Sequence, residues 1–93
     1  MIRSFKGSQT GRIWEGLSAR YLPPDIQAAA LRKLRLIDAA MLLDDLKVPP
    51  GNQLKALLGD RNGQYSIRIN QQWRICFRWS GSGAEDVEIC DYH

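Results

Sequence analysis

Cysteine and histidine are both scarce in this sequence, whose 93 residues include two cysteines and one histidine. Two cysteines are too few for a disulfide scaffold, and the spacing of Cys76 and Cys90 fits neither a zinc site nor a redox pair. We therefore expect both thiols to be reduced and packed, with no metal and no cofactor. The sequence also lacks a run of the about 20 apolar residues that a membrane helix needs, and its first residues lack the apolar segment of a secretion signal. These absences predict a cytoplasmic protein without membrane contacts.

The composition is that of an ordinary globular chain. Hydrophobic residues make up 44% and charged residues 25%, which excludes disorder throughout the chain. The length leaves room for one core, so we expect a single domain over residues 1–93. Thirteen Lys and Arg against ten Asp and Glu give a net charge of +3. This charge favours polyanionic partners if the cations share one face of the molecule.

The first half of the chain predicts two helices after a short strand at residues 2–5. Ser8 and Thr10 are candidate N-caps of the first helix, and Pro23 and Pro24 precede a stronger helix over residues 25–40. The apolar positions are Ile13, Trp14, Leu17 and Tyr21 in the first helix, and Ile26, Ala30, Leu34, Ile37 and Met41 in the second. A helical turn near residues 43–46 follows, and Pro49-Pro50-Gly51-Asn52 should end helical structure.

The second half of the chain predicts a meander of four strands, at residues 53–58, 64–70, 73–79 and 85–90. Asn62-Gly63 suits a tight hairpin because both residues tolerate positive φ. Ser80-Gly81-Ser82-Gly83 links the last two strands. The chain is therefore expected to fold as an α+β domain, with two helices on one face of a mainly antiparallel sheet.

Side chains two residues apart share a face of a strand, so the strands have one apolar and one cationic face. The apolar set is Tyr65, Ile67, Ile69, Trp73, Ile75, Phe77, Trp79, Val87 and Ile89. The opposite face carries Arg68, Arg74 and Arg78, with Lys55 and Glu88 joining from the outer strands. Two interpretations remain open at this point: a polyanion-binding face, or a solvated face with arginines spaced singly.

The chain ends in Asp91-Tyr92-His93, so its single histidine is the last residue. A terminal histidine is often a solvated, frayed end. Here it lies close in sequence to the arginine-bearing face, together with a phenol and a carboxylate. This tail is therefore a candidate for acid–base chemistry.

Five blocks in order carry a resemblance to a known family: Pro49-Pro50-Gly51-Asn52, Gly59-Asp60-Arg61, Ser66-Ile67-Arg68-Ile69-Asn70, Gln72-Trp73-Arg74-Ile75-Cys76-Phe77 and Asp91-Tyr92-His93. The sequence resembles, over essentially its whole length, the HigB family of RelE-like mRNA interferases. The resemblance implies a RelE-like fold and a toxin that enters the decoding site of the ribosome and cleaves mRNA there. It also implies neutralisation by a HigA-like helix-turn-helix antitoxin, through which the complex contacts operator DNA.

The residue chemistry suits a metal-free ribonuclease that uses the RNA 2′-hydroxyl as its nucleophile. Arg74 is expected to stabilise charge on the phosphoryl oxygens, because guanidinium forks match phosphate. His93 is expected to transfer a proton, with Asp91 orienting it. Tyr92 is expected to stack on a base or donate a proton, and Lys55 to contact the phosphate. The further RNA-binding candidates are Arg61, Arg68, Gln72 and Arg78.

The chain departs from the family pattern in the strand before Gly59-Asp60-Arg61. Some members have a histidine and a lysine there, whereas this chain has Lys55 and Leu58 at the matching places. One supposed acid–base group is thus absent, which leaves the division between general acid and general base open.

Two other functions compete with this interpretation. A ParE-like protein would share the fold but poison DNA gyrase, and would need no nuclease residues. A noncatalytic RNA-binding module would use the same basic face and would bind RNA in a salt-sensitive way without forming a product.

Overall fold

The computed structural model describes residues 1–91, so the predictions for Tyr92 and His93 lie outside the described residues. It contains two helices and then a sheet, in the order α1 (Ser8–Trp14), α2 (Pro24–Ala39), β1 (Lys55–Ala56), β2 (Tyr65–Arg68), β3 (Trp73–Ser80) and β4 (Gly83–Asp91). Three short 3-10 turns, Leu43–Lys47, Pro50–Asn52 and Gly59–Arg61, lie between α2 and β2. No helix within residues 1–91 has the length and apolar character to cross a membrane.

The sheet is an antiparallel meander in which each strand pairs with the next one along the chain. The predicted N-terminal strand is reduced to two single parallel bridges, from Ile2 to Ala84 and from Phe5 to Val87. These bridges run beside β4, opposite the side that β3 occupies. The expectation of a mainly antiparallel α+β fold is confirmed.

The core lies between the helices and one face of the sheet. α1 packs on β4, and α2 packs on β3 and β4. The predicted apolar sheet face is buried at its centre, where Ile67, Ile75, Phe77 and Val87 are all 0% exposed. The predicted core face of α2 is also buried, at Ile26, Ala30, Leu34 and Ile37. Strand alternation and helix periodicity therefore identified the two surfaces that meet.

The first helix is shorter than predicted, because it ends at Trp14. Gly16 has φ +79°, and its N–H donates to Ile13 O (3.0 Å) while the Leu17 N–H donates to Arg12 O (2.9 Å). This pair of bonds around a left-handed glycine terminates a helix. The prediction that Leu17 and Tyr21 extend the apolar face is wrong, since both side chains lie beyond the helix and are exposed.

The predicted caps and the far end of α2 also differ from the structure. Gly7 occupies the N-cap position of α1. The Thr10 hydroxyl accepts a hydrogen bond from the Ile89 N–H at 2.9 Å, so it ties α1 to β4 instead of capping the helix. Met41 is 70% exposed because the chain turns to an extended conformation at Ala40.

The strand predicted over residues 53–58 is only two residues long, Lys55–Ala56. It begins late because Gln53 takes the left-handed conformation at φ +46°. The helical turn Leu43–Lys47 ends before the prolines, as predicted, because Val48 and Pro49 are extended. A separate 3-10 turn then follows at Pro50–Asn52. The Asn62-Gly63 turn has one positive φ and not two. Asn62 has φ −55° and Gly63 has φ +91°, and the Gln64 N–H donates to Arg61 O at 3.0 Å. This is the pattern of a type II turn.

Candidate functional site

The sheet face turned away from α1 and α2, here called the outer face, brings most of the candidate residues together. The strand register aligns one row across four strands, made up of Lys55, Ser66, Cys76 and Glu88. The next row crosses three strands and consists of Arg68, Arg74 and Cys90. Directly opposed residues within a row have Cβ atoms about 4.5–5.5 Å apart. The two rows are two residues apart along each strand, so together they form one continuous patch.

Arg74 lies at the centre of the outer face and is buried, with 7% of its surface exposed. Its Nε donates to the Ser66 hydroxyl at 2.7 Å, and its Nη2 donates to the carbonyl oxygens of Gln53 and of Ser66. The sequence predicted an uncovered cationic face at this point, and that expectation is wrong for Arg74. Strand parity identifies the face of a side chain, but it does not show that the segment before β1 covers part of that face.

Arg68 and Arg74 stand directly opposite each other on β2 and β3. Arg68 is half-buried, and its Nε donates to the Asn70 carbonyl at 3.0 Å. Like charges at directly opposed positions of a sheet destabilise it. The two side chains are held by different partners, the Asn70 carbonyl for Arg68 and the Ser66 hydroxyl for Arg74.

Arg61 reaches the outer face from the 3-10 turn before β2, where it is held by a carboxylate. Its Nη2 lies 3.0 Å from Glu88 Oε1 in a salt bridge, and its Nη1 donates to Gln64 Oε1 at 3.1 Å. Burial is the largest influence and lowers the pKa of Arg61, but the hydrogen bond to Glu88 and the charge interactions with Cys90, Cys76 and Glu88 together outweigh it, so the net shift is upward. For Glu88, burial raises the pKa, while hydrogen bonds from Cys90 and Arg61 lower it to a net value below the usual range. Both groups are therefore charged at neutral pH.

The two cysteines are free and buried on the outer face, as the sequence predicted, next to Leu57. The Cys90 thiol donates to Glu88 Oε1 at 3.0 Å. Hydrogen bonding with Cys76, burial and the nearby carboxylate all raise the pKa of Cys90, so this thiol stays protonated. Among residues 1–91, no group of three or more His, Cys, Asp and Glu side chains is arranged to hold a metal ion.

Two further candidate residues, Lys55 and Asp91, lie on the first and the last strand of the sheet. Lys55 is exposed on β1, opposite Ser66. Asp91 is exposed at the end of β4 and accepts a hydrogen bond from Gln72 Nε2 at 2.9 Å. Asp91 is paired with Trp73, so it shares the parity of the helix-covered face and not that of Arg74.

Arg78 lies on the outer face beyond an irregularity in the pairing of β3 and β4. Its Nε is 3.8 Å from Asp86 Oδ2, and the side chain is about half exposed. Four residues along an extended strand correspond to about 13 Å, so Arg78 is well separated from Arg74. Lys55, Arg68 and Arg74 occupy the two neighbouring rows, and Arg78 lies beyond them, beside the turn at Gly63.

Ser66 and Gln53 both contact the guanidinium of Arg74, and neither was predicted as a site residue from the sequence. The position of Ser66 on the outer face could have been predicted from the sequence, because Ser66 is two residues from Arg68 on the same strand and therefore points to the same side of the sheet. The contact with Gln53 could not, because a backbone carbonyl becomes a partner only through the path of the loop.

Solved structures with the same architecture define the class of fold. A chain of the "YoeB-YefM complex from Staphylococcus aureus" matches all of this chain and 98% of its own length, with a TM-score of 0.61 and 16% identity. The "YoeB/ParE toxin from Agrobacterium tumefaciens" matches all of this chain and 99% of its own length, with a TM-score of 0.57 and 22% identity. The fold is therefore the α+β fold of YoeB-like toxins.

Sequence comparison narrows this class to one family. The sequence model of the HigB-like toxins, described as "RelE-like toxin of type II toxin-antitoxin system HigB", matches residues 3–93. The chain belongs to this family. "Toxin HigB-1" of Vibrio cholerae is 45% identical over 60 residues, which are 64% of this chain and 63% of that protein. "Endoribonuclease HigB" of Proteus vulgaris is 32% identical over 94 aligned residues, which span the full length of both proteins.

Proposed function

We propose that this HigB-like toxin is an endoribonuclease that enters the decoding site of the ribosome and cleaves mRNA during translation. The observation that carries the proposal is the opposed pair Arg68 and Arg74 at the centre of the outer face. Arginine side chains on adjacent strands of one face suit a polyanionic ligand, because a guanidinium fork donates two hydrogen bonds to a phosphate. Family membership supports the same conclusion, because a full-length relative is named an endoribonuclease.

Arg74 is the residue to which we assign transition-state stabilisation. Its side chain is buried and hydrogen bonded, so its orientation is set before the RNA binds. A cation held in this way in a partly dry site stabilises developing phosphoryl charge more strongly than a mobile surface cation. Arg68 and Lys55 contact the flanking phosphates in this mechanism.

The RNA itself supplies the nucleophile, through the 2′-hydroxyl next to the scissile phosphate. His93 transfers the proton, because imidazole has an unperturbed pKa of about 6.5. Asp91 lies just before the tail, where it can orient the imidazole, and Tyr92 stacks on a base. Gln72 and Arg78 extend the RNA contacts beyond the central patch. Arg61 mainly stabilises the turn before β2, through its salt bridge with Glu88.

The partner in this proposal is a HigA-like helix-turn-helix antitoxin. The family is defined by a type II toxin–antitoxin system, so an antitoxin belongs with the chain. Contact with operator DNA then occurs through the antitoxin and not through the outer face of the toxin.

Primer extension on translating mRNA tests the proposal. Induction of the wild-type chain should give cleavage sites within translated codons, with 2′,3′-cyclic phosphate ends. The variants Arg74→Lys and His93→Ala should lower cleavage by about 10²-fold or more. Arg35→Gln, on the exposed side of α2, is the matched control and should cleave like the wild type. Binding of RNA without a product would indicate a noncatalytic module, and DNA breaks linked to gyrase would indicate a ParE-like toxin.

A further inference from the structure

We infer that Ser66 and Asn52 are positioning residues that hold the guanidinium of Arg74 in the geometry needed for phosphoryl stabilisation. The inference rests on the proposed nuclease function and adds the residues through which Arg74 acts. Neither residue is expected to touch the RNA, since both side chains are 0% exposed.

Ser66 fixes one side of the guanidinium from β2. Its hydroxyl accepts the Nε hydrogen bond at 2.7 Å, and its carbonyl lies 3.4 Å from Nη2. Nε and Nη2 lie in the guanidinium plane, so two contacts from one residue set the direction of that plane. The strand pairs with both β1 and β3, which makes Ser66 a rigid support.

Gln53 supplies the second support, through its carbonyl oxygen, which accepts a hydrogen bond from Nη2. This carbonyl points at Arg74 because Gln53 takes a left-handed conformation, with φ +46°. Such a conformation is disfavoured for any residue other than glycine, so the surrounding structure must maintain it.

Asn52 maintains the loop that carries Gln53. Its Nδ2 donates to the carbonyl oxygens of Leu46 (3.1 Å) and Val48 (3.2 Å), and its Oδ1 accepts from Lys33 Nζ on α2. The loop is thereby connected to the helix on the other side of the molecule. A chain of contacts runs from α2 through Asn52 and the Gln53 carbonyl to Arg74.

The two supports come from separate segments of the chain and meet on one guanidinium. Arg74 therefore does not need to reorganise when the RNA arrives, which lowers the cost of reaching the transition state. Loss of a support should lower the rate constant of the chemical step and leave RNA binding nearly unchanged, because other cations also bind the RNA backbone.

Multiple-turnover cleavage on programmed ribosomes, with kcat and KM measured separately, tests this inference. We expect Ser66→Ala to lower kcat about tenfold or more while KM stays within about twofold. Ser66→Thr keeps the hydroxyl and should recover most of the rate. Ser66→Cys preserves the packing but offers a weak acceptor, so it should be as slow as Ser66→Ala. Ser80→Ala, at an exposed serine of β3, is the matched control.

A double-mutant cycle separates positioning from a general loss of stability. In an Arg74→Lys background, Ser66→Ala should cause almost no further loss of kcat, because the group that it positions is already absent. The same cycle with Asn52→Ser, which shortens the side chain and weakens its link to the carbonyls of Leu46 and Val48, should show coupling of the same sign.

The outcomes distinguish this inference from the proposed function. A wild-type chain that forms no cleavage product would overturn both. A cleaving wild type with an unchanged kcat in Ser66→Ala and Ser66→Cys, or with effects that multiply independently of Arg74→Lys, would overturn the positioning role alone.

Discussion

Replacement of Arg74 by alanine should cost much of the stability of this protein, as well as any activity. The Ser66 hydroxyl would lose its charged donor inside the molecule, and an unsatisfied buried acceptor costs about 1–3 kcal/mol. The Gln53 and Ser66 carbonyls would lose hydrogen bonds as well, at about 0.5–1.5 kcal/mol for each. The three costs sum to about 2–6 kcal/mol, with a midpoint of about 4 kcal/mol, against a total of about 5–14 kcal/mol for a chain of this length.

Urea unfolding followed by circular dichroism measures this effect. Arg74→Ala should move the unfolding midpoint without a change in the denaturant slope. In thermal unfolding, the same variant should lower Tm by about 16–32 °C. Arg35→Ala removes an exposed arginine from α2 and should stay within about 0.5 kcal/mol of the wild type. A cost below about 1 kcal/mol for Arg74→Ala would show that the buried contacts do not hold the side chain. Because Arg74→Ala is expected to lower the free energy of unfolding this much, Arg74→Lys is the better variant for activity measurements.

Three further predictions concern the ion pair, the core and the turn. Glu88→Gln should cost about 1 kcal/mol at pH 7, since it removes the partner of Arg61. The folded state lowers the pKa of Glu88, so the advantage of the wild type is present above about pH 5 and should shrink as the pH falls through the folded pKa; a constant difference down to pH 3 would contradict this. Leu34→Ala, at 0% exposure, should cost about 2–5 kcal/mol in thermal unfolding, and a cost below 1 kcal/mol would mean that the helix–sheet core is loosely packed. Gly63→Ala should cost about 1–2 kcal/mol because its φ is +91°, whereas Gly51→Ala, where a Cβ meets open space, should be neutral; equal effects would refute the turn conformation.

Local periodicity predicted the buried face correctly where an element is long. The core face of α2 is predicted correctly from Ile26 to Ile37, and Met41 fails only because the helix has already ended. In the first helix, apolar spacing extends beyond the end of the helix. Leu17 continues the apolar spacing of Ile13, but Gly16 adopts a left-handed conformation between them and ends the helix. A pattern of apolar spacing contains no information about whether a glycine will take that conformation.

Strand parity predicted which face the central arginines share, but not how deeply they are buried. Strand parity correctly places Arg68 and Arg74 on the face opposite the core, and the register makes them direct neighbours. The same reasoning treated both as surface residues, although Arg74 is buried and Arg68 is half-buried. Arg61 was expected to contact RNA, and its partner Glu88 comes from a strand 27 residues away. Neither outcome follows from spacing along the chain, because each depends on how the loop before β2 crosses the sheet.

Alternation in the strands, spacing along α2 and the ordered family blocks are properties of the chain itself, and they were enough to specify the fold class and the family. The surroundings of each arginine are not such properties. They arise when Ser66, the Gln53 carbonyl and Arg74, which are distant in sequence, meet at one point through strand register and loop path. Short-range preferences act over a few residues, whereas burial and hydrogen-bond partners are set by contacts between segments that only folding brings together.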